Sequence, residues 1–192
     1  FYSVYPNIDL KKFNNYENYF MKNYNSNMRK NLKRREKMLF NDGGELLVKK
    51  FNQITDKEFK EIISVSSSKE TEGKHDHFKD KEILSFFKSN LELKKNKVIL
   101  AKLKNKIIGY QFIYLYDKYK IYTGLSYDRN YKKYGIGNLL ENYDIKNTDF
   151  KKYDYINMGP GLEKYKTYYS TGFEKIFCLL SKGNNFFSGF IF

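Results

Sequence analysis

Several kinds of residue and segment are scarce in this sequence of 192 residues, and each shortage excludes a class of protein. The single cysteine, Cys178, excludes an internal disulfide and fits a reducing cytoplasm. No apolar run approaches the roughly 18 residues of a membrane-spanning helix, and no signal peptide is recognisable. The two histidines, His75 and His77, lack the ligand spacing of any structural metal site. We therefore expect a cytoplasmic protein without a metal.

Aromatic residues and positive charge are abundant instead. The chain has 19 tyrosines, 17 phenylalanines and a formal net charge of +14. The length suits one domain with a substantial core. The abundance of Lys, Asn, Tyr and Ile is typical of an A+T-rich genome, so the charge reflects either a partner or codon usage. Because the chain starts at Phe1 without a methionine, we expect a fragment of a longer protein or a processed product.

The clearest chemical signal is a joint between a strand and a helix. Residues 119–127 alternate as a half-buried strand does, and residues 138–148 have helical apolar spacing. Between them lies Lys132-x-x-Gly135-x-Gly137. A helix N-terminus presents unpaired N–H groups and a positive dipole end, and glycines let an anion approach the main chain. This predicts a diphosphate-binding loop, with an ordinary strand-to-helix turn as the alternative.

The spacing of this loop excludes two other phosphate-binding motifs. The chain has no Gly-x-x-x-x-Gly-Lys-Ser/Thr stretch, and Leu140 stands where a dinucleotide loop needs its third glycine. The loop resembles the coenzyme A loop of GNAT-type N-acetyltransferases, although Lys132 replaces their usual Arg or Gln. The resemblance implies an acetyl-CoA site in this loop and the preceding strand. The residues implied are Leu125, Ser126, Lys132, Lys133, Tyr134, Gly135, Ile136, Gly137 and Asn138.

A second stretch, from Tyr165 to Phe173, resembles another part of the same family. In those enzymes a short helix carries a tyrosine four residues before a Gly-Phe pair that opens the next strand. Tyr168 stands at that spacing before Gly172. The resemblance implies that Tyr168 protonates the departing thiolate, which is reasonable for a phenol with a pKa of about 10. In so tyrosine-rich a chain, a solvent-facing tyrosine is the alternative.

The order of the predicted elements matches the same family. We expect an α/β (α+β) GNAT fold over residues 45–192, with a mixed sheet of about seven strands flanked by helices. Residues 1–44 are expected to form a helical extension outside this core. The predicted strands are 45–51, 98–103, 107–116, 119–127, 155–158, 173–180 and 186–192, and the predicted helices are 10–24, 26–40, 55–66, 80–93, 138–148 and 163–170.

Two further stretches resemble one GNAT subfamily, the cellulose-biosynthesis and Fem-type acyltransferases. Residues 29–39 resemble the basic helix that precedes their acetyltransferase domain, although a solvated basic face is the ordinary explanation of such a run. Residues 157–166 resemble their strand end, with Asn157 in place of an acid. The resemblance implies a substrate-binding role for Asn157. The loop between the first two helices of this fold borders the acceptor pocket, so His75 or His77 is expected to orient or deprotonate the acceptor, with an ordinary polar loop as the alternative.

These features together predict an enzyme that moves an acyl group from acyl-CoA to a small primary amine by direct attack. The subfamily implies an amino sugar of surface-polysaccharide synthesis as acceptor. The general base is left open between Asp128 and a water chain. Two alternatives remain. A Fem-like transferase would use aminoacyl-tRNA, held by the basic helix 29–37. A non-catalytic module would bind nucleic acid through its charge and aromatic residues.

Overall fold

The computed structural model describes residues 2–68, 77–90 and 95–177. Seven strands form one sheet: β1 (Tyr2–Asp9), β2 (Gly44–Lys50), β3 (Lys97–Leu103), β4 (Lys106–Tyr116), β5 (Tyr119–Tyr127), β6 (Tyr155–Asn157) and β7 (Gly172–Phe177). Their order across the sheet is β2-β3-β4-β5-β6-β1-β7. Only β5 and β6 are parallel, and every other neighbouring pair is antiparallel. The predicted mixed sheet is confirmed.

Helices cover both faces of this sheet. They are α1 (Tyr16–Asn23), α2 (Ser26–Asn41), α3 (Asp56–Ser67), α4 (Lys81–Asn90), α5 (Ile136–Lys146) and α6 (Lys164–Tyr169). One apolar cluster joins one sheet face to α1, α2, α5 and α6, and a second joins the other face to α3 and α4. Within the described ranges, no helix has the length and apolarity needed to cross a membrane.

The helix starts follow from local capping. Thr55 and Glu58 form the predicted capping box of α3, each side chain accepting the other residue's backbone N–H at 3.2 Å. Helix α5 begins at Ile136, two residues earlier than predicted. Gly135 has a left-handed conformation, with φ of +61°, that ends the preceding 3-10 turn (Arg129–Tyr134) and lets the helix start at once.

The first strand corrects the expectation that the N-terminal extension lies outside the core. β1 is an interior strand between β6 and β7, and Ile8 within it is fully buried. Pro6 weakens the strand pattern in the sequence because proline cannot donate to a sheet. It is tolerated here because it lies just beyond Asn7↔Asn157, the last residue pair on the β6 side.

The predicted N-terminal helix 10–24 is also shorter in the structure. A 3-10 turn spans Leu10–Lys12, and α1 starts only at Tyr16, where the Asn15 side chain accepts the Asn18 N–H at 2.9 Å. The apolar cluster that includes α5 and α6 also contains five residues from α1, α2 and the turn between them: Tyr19, Phe20, Tyr24, Leu32 and Leu39. The predicted strand 186–192 and Cys178 lie outside the described residues.

The interior position of β1 predicts that its apolar side chains stabilise the whole domain. Ile8→Ala should lower the free energy of unfolding by about 2–4 kcal/mol, because it leaves a cavity in the core. Val48→Ala, on the exposed side of edge strand β2, should cost less than about 1 kcal/mol. Urea titration of both variants measures this. Equal, small losses would contradict the placement of β1.

Candidate active site

The parallel strands β5 and β6 separate after a short paired stretch. They pair only between Tyr119–Ile121 and Tyr155–Asn157, whereas β5 continues to Tyr127. Just beyond the pair, the chain after β6 is still close to β5, since a Cβ on Gly159 would lie 2.9 Å from the Tyr122 carbonyl oxygen. From there on, no strand of the described residues pairs with the β6-facing edge of β5.

A β-bulge lies where the two strands separate. On β4 the successive residues Phe112 and Ile113 face Gly124 and Tyr122, so Thr123 is the extra residue of β5. A bulge leaves its extra residue outside the regular ladder and bends the strand locally. Thr123 is exposed. The distortion therefore lies at the mouth of the gap between β5 and β6.

The N-terminus of α5 lies beside the free end of β5. Among the described residues, no side chain forms a hydrogen bond that caps its first turn. The first backbone N–H with a helical acceptor is that of Leu139, which donates to the Gly135 oxygen at 3.2 Å. The N–H groups of residues 136–138 therefore have no partner within the helix. A Cβ on Gly137 would lie 3.4 Å from Leu125 Cδ2. Leu125 of β5, which the sequence predicts to belong to the donor site, therefore contacts the start of α5.

Other predicted residues of the loop have different surroundings. Lys133 Nζ lies 3.3 Å from Asp42 Oδ2, and the Tyr134 hydroxyl donates to the same carboxylate. These hydrogen bonds, from Tyr134 first and Lys133 second, hold the pKa of Asp42 below its usual value. The Ser126 side chain is buried on the opposite face of the sheet, 3.5 Å from the Val65 carbonyl. The Lys133 and Tyr134 side chains thus bind the C-cap of α2, and the Ser126 side chain faces α3.

The predicted proton donor is accessible, while its neighbour is buried. Tyr168 on α6 is 48% exposed and Tyr169 is 4% exposed. The Tyr169 ring lies 5.2 Å from the Tyr24 ring, and burial raises the pKa of Tyr169 far above that of a free phenol. An exposed phenol can exchange protons with solvent and substrate, so Tyr168 is the better suited of the two to acid chemistry.

Of the residues predicted to act on the acceptor, the structure describes Asn157 and Asp128. Asn157 is buried, and its Oδ1 accepts the Gly159 N–H at 2.9 Å, so this oxygen stabilises the turn after β6. Asp128, considered as a base, accepts the Asn130 N–H at 3.0 Å and lies 3.2 Å from Lys106 Nζ. His75 and the side chain of His77 lie outside the described part. No cluster of His, Cys, Asp and Glu suited to a metal occurs in the ranges described.

A buried carboxyl between α5 and α6 was not recognised from the sequence. Glu141 is 2% exposed, and its Oε2 has no hydrogen-bond partner among the described residues. Burial raises its pKa to about 8, against the opposing influence of the nearby Lys166. Lys166 is itself buried and lies 2.9 Å from Glu163. The sequence does not distinguish Glu141 from the other polar residues of this helix, such as Asn142 and Asp144.

Comparison with known proteins identifies the family. The family model described as an acetyltransferase (GNAT) domain matches residues 26–167, which is more than half of the chain. The chain belongs to the GNAT acetyltransferase family. The match begins inside the predicted N-terminal extension, at the first residue of α2, in agreement with the contribution of this helix to the core. No curated protein sequence matches the chain.

Solved structures share this GNAT fold. The C-terminal domain of a putative lysylphosphatidylglycerol synthetase from Agrobacterium fabrum is 12% identical, with a TM-score of 0.62 over 90% of this chain and 58% of that one. A conserved protein of unknown function from Bacteroides thetaiotaomicron is 14% identical, with a TM-score of 0.63 and the same coverage. L-PGS from Bacillus licheniformis is 14% identical, with a TM-score of 0.52 over 87% and 56%. The chain thus spans less than two thirds of each structure, and these identities show the fold alone.

Glu141 predicts an unusual dependence of stability on pH. Its pKa is about 8 when folded and about 4.3 when unfolded. The unfolded chain therefore releases this proton at lower pH, so the contribution of Glu141 to stability falls as pH rises from about 4.3 to about 8. Relative to Glu141→Gln, the wild type should lose up to about 4 kcal/mol between pH 5 and pH 8.

Urea unfolding at both pH values measures this difference. Glu17→Gln removes an exposed carboxyl of α1 and serves as the matched control, since it should shift the unfolding free energy by a similar small amount at both pH values. If Glu141→Gln and wild type differed by the same amount at pH 5 and pH 8, the buried carboxyl would not hold its proton in the folded state.

Proposed function

We propose that this GNAT protein transfers an acyl group from acyl-CoA to a primary amine. The observation that carries the proposal is the combination of an uncapped α5 N-terminus, preceded by Gly135 in a left-handed conformation, with the separated ends of β5 and β6. Backbone N–H groups at a helix N-terminus suit a diphosphate. The gap where β5 and β6 separate suits the amide-containing arm that joins the diphosphate to the thioester.

The residues of the loop fit such a donor by a simple steric criterion. A Cβ on Gly135 would lie in a strained conformation and would overlap a neighbouring side chain at 2.4 Å. A Cβ on Gly137 would make ordinary contacts with the side chains of β5. The first glycine therefore allows the left-handed backbone of the loop and leaves room for this neighbouring side chain. We assign the N–H groups of residues 136–138 to the diphosphate, with Lys132, which is exposed, as a peripheral charge.

The acyl donor supplies an activated thioester. The amine forms an amide with its carbonyl carbon, the carbon–sulfur bond breaks, the amine loses a proton and the sulfur gains one. We assign the protonation of the sulfur to Tyr168, and the polarisation of the carbonyl oxygen to a backbone N–H of β5 near the bulge at Thr123. Preorganised N–H donors of this kind stabilise the developing negative charge on oxygen. The acceptor follows from the subfamily resemblance as an amino sugar of a surface polysaccharide.

A second function is favoured by one specific feature. Helix α2 presents four exposed cationic side chains, which are Lys30, Lys33, Arg34 and Lys37. Such a surface can bind tRNA phosphates, and a Fem-like aminoacyl-tRNA-dependent transferase would need it. The non-catalytic nucleic-acid module has less support, because most of the described aromatic side chains are in the two core clusters and cannot stack on bases.

The proposal predicts release of free coenzyme A from acetyl-CoA only when an amine is added. A thiol-reactive dye measures this release with a panel of amino sugars, and mass spectrometry measures the acetylated product. Tyr168→Phe should lower kcat by about 100-fold or more at unchanged KM for acetyl-CoA, since it removes only the acid. Tyr116→Phe, which removes another exposed tyrosine hydroxyl, is the matched control.

Two outcomes would contradict these assignments. Unchanged turnover in Tyr168→Phe would remove the acid role while leaving the transferase intact. If no amine supported release, while aminoacyl-tRNA acted as a donor in a salt-sensitive manner, the aminoacyl transferase would replace the acetyltransferase as the function.

A further inference from the structure

The basic residues of α2 are of two kinds. Four are exposed, whereas Arg29 and Arg35 are half-buried. Arg29 is explained by the end of the preceding helix, because its Nη1 donates to the carbonyls of Met21 and Tyr24. Arg35 has no such local explanation. It lies on the part of α2 that packs against the turn before α5, since Asp42, two turns further along the helix, binds Lys133 and Tyr134.

The Arg35 side chain contacts the glycine that opens the candidate donor site. The position of a Cβ on Gly135 would lie 2.4 Å from Arg35 Nη1, 2.8 Å from Cδ and 2.9 Å from Cζ. The guanidinium is therefore as close to the main chain of Gly135 as a side chain of that residue would be. This contact joins residues 100 positions apart in the sequence, and it brings a positive charge to the positive end of the α5 dipole.

A cation at this place is unfavourable unless an anion accompanies it. The N-terminus of a helix repels positive charge and attracts negative charge. Arg35 Nε is buried and has no hydrogen-bond partner among the described residues. The nearby carboxylate Asp42 is already bound by Lys133 and Tyr134. Arg35 and the N–H groups of residues 136–138, which have no partner within the helix, are therefore suited to bind the same negatively charged group.

We propose that Arg35 binds the diphosphate of the acyl donor together with the N–H groups at the start of α5. This inference rests on the proposed function and adds to it a residue outside the coenzyme A loop. A guanidinium forms paired, charge-assisted hydrogen bonds with phosphate oxygens, which a lysine cannot reproduce. Arg35 thereby takes the place of the loop cation, because Lys133 is bound to Asp42 and Lys132 is exposed to solvent.

The proposal makes donor binding depend on the basic helix. Glycine then suits position 135 for two reasons. The backbone there is left-handed, and the Arg35 guanidinium occupies the space that a side chain would fill. The four exposed basic residues of α2 remain available to other anions, while Arg35, one of the two half-buried ones, belongs to the donor site. Mutation of Arg35 should consequently affect the recognition of the diphosphate and leave the recognition of the thioester arm unchanged.

Calorimetric titration of the whole chain with coenzyme A, and with pantetheine, which lacks the diphosphate, tests this. Arg35→Ala should weaken coenzyme A binding by about 10- to 100-fold and leave pantetheine binding unchanged. Arg34→Ala, an exposed neighbour with the same loss of charge, should change either affinity less than about 2-fold. Arg35→Gln keeps the length and polarity of the side chain and is a second neutral variant should alanine impair folding.

The outcomes separate this inference from the proposed function. If wild type binds coenzyme A and both Arg35 variants bind it equally well, Arg35 is not a ligand of the diphosphate, although the donor assignment stands. Tighter binding by the variants would show that the guanidinium obstructs the site, which also overturns the inference. If wild type does not bind coenzyme A at all, the proposed donor fails, and the role of Arg35 fails with it.

Discussion

The position of α5 over the parallel strands β5 and β6 is the constraint on which the candidate site depends. Parallel neighbours require a crossover connection, and α5 is that connection, so its N-terminus must follow the carboxyl end of β5. A buried network holds the other end of the helix in place. Asp144 lies 2.6 Å from Lys120 Nζ and accepts the Tyr122 hydroxyl at 2.7 Å. The strands can therefore separate above this network without displacing the helix.

The N-terminal segment completes this arrangement from the outer side. α1 and α2 pack on the face of α5 that points away from the sheet, where Tyr16 donates to Asn142 at 2.8 Å and Asp42 binds the turn before the helix. β1 adds to the same unit by pairing with β6. An interior strand and two helices thus belong to the core of the GNAT fold, and Arg35 reaches the start of α5 as a direct result.

Buried carboxyl groups have different surroundings in the middle and at the C-terminal end of α5. Near its C-terminal end, Asp144 has an opposite charge and a hydroxyl donor, as buried carboxylates generally require. Near its middle, Glu141 has no such hydrogen bond on Oε2 and retains its proton to higher pH because of burial. The same helix therefore carries, one turn apart, a carboxyl with an ion-pair partner and a hydroxyl donor, and a carboxyl whose Oε2 has no hydrogen-bond partner among the described residues.

The sequence predicted the features that depend on neighbouring residues. The loop around Gly135, the capping box at Thr55 and the strand pattern of β3 to β5 all follow from local spacing. The features that it missed depend on contacts between distant residues. Pro6 concealed an interior strand, Asp42 engages Lys133 from 91 positions away, and Arg35 reaches Gly135 across 100. No periodicity in one sequence encodes such pairs, because they exist only once the elements have packed.

The most direct test of a donor site at the start of α5 is thermal unfolding with and without acetyl-CoA at a few hundred micromolar. A ligand that binds only the folded chain raises the unfolding midpoint with the logarithm of its concentration over Kd. We expect acetyl-CoA to raise the unfolding midpoint of the wild type clearly. This rise should be lost in Gly135→Asp, whose carboxylate would repel the diphosphate and neutralise Arg35. No rise for wild type, or an equal rise in Gly135→Asp, would contradict the placement of the donor at the start of α5.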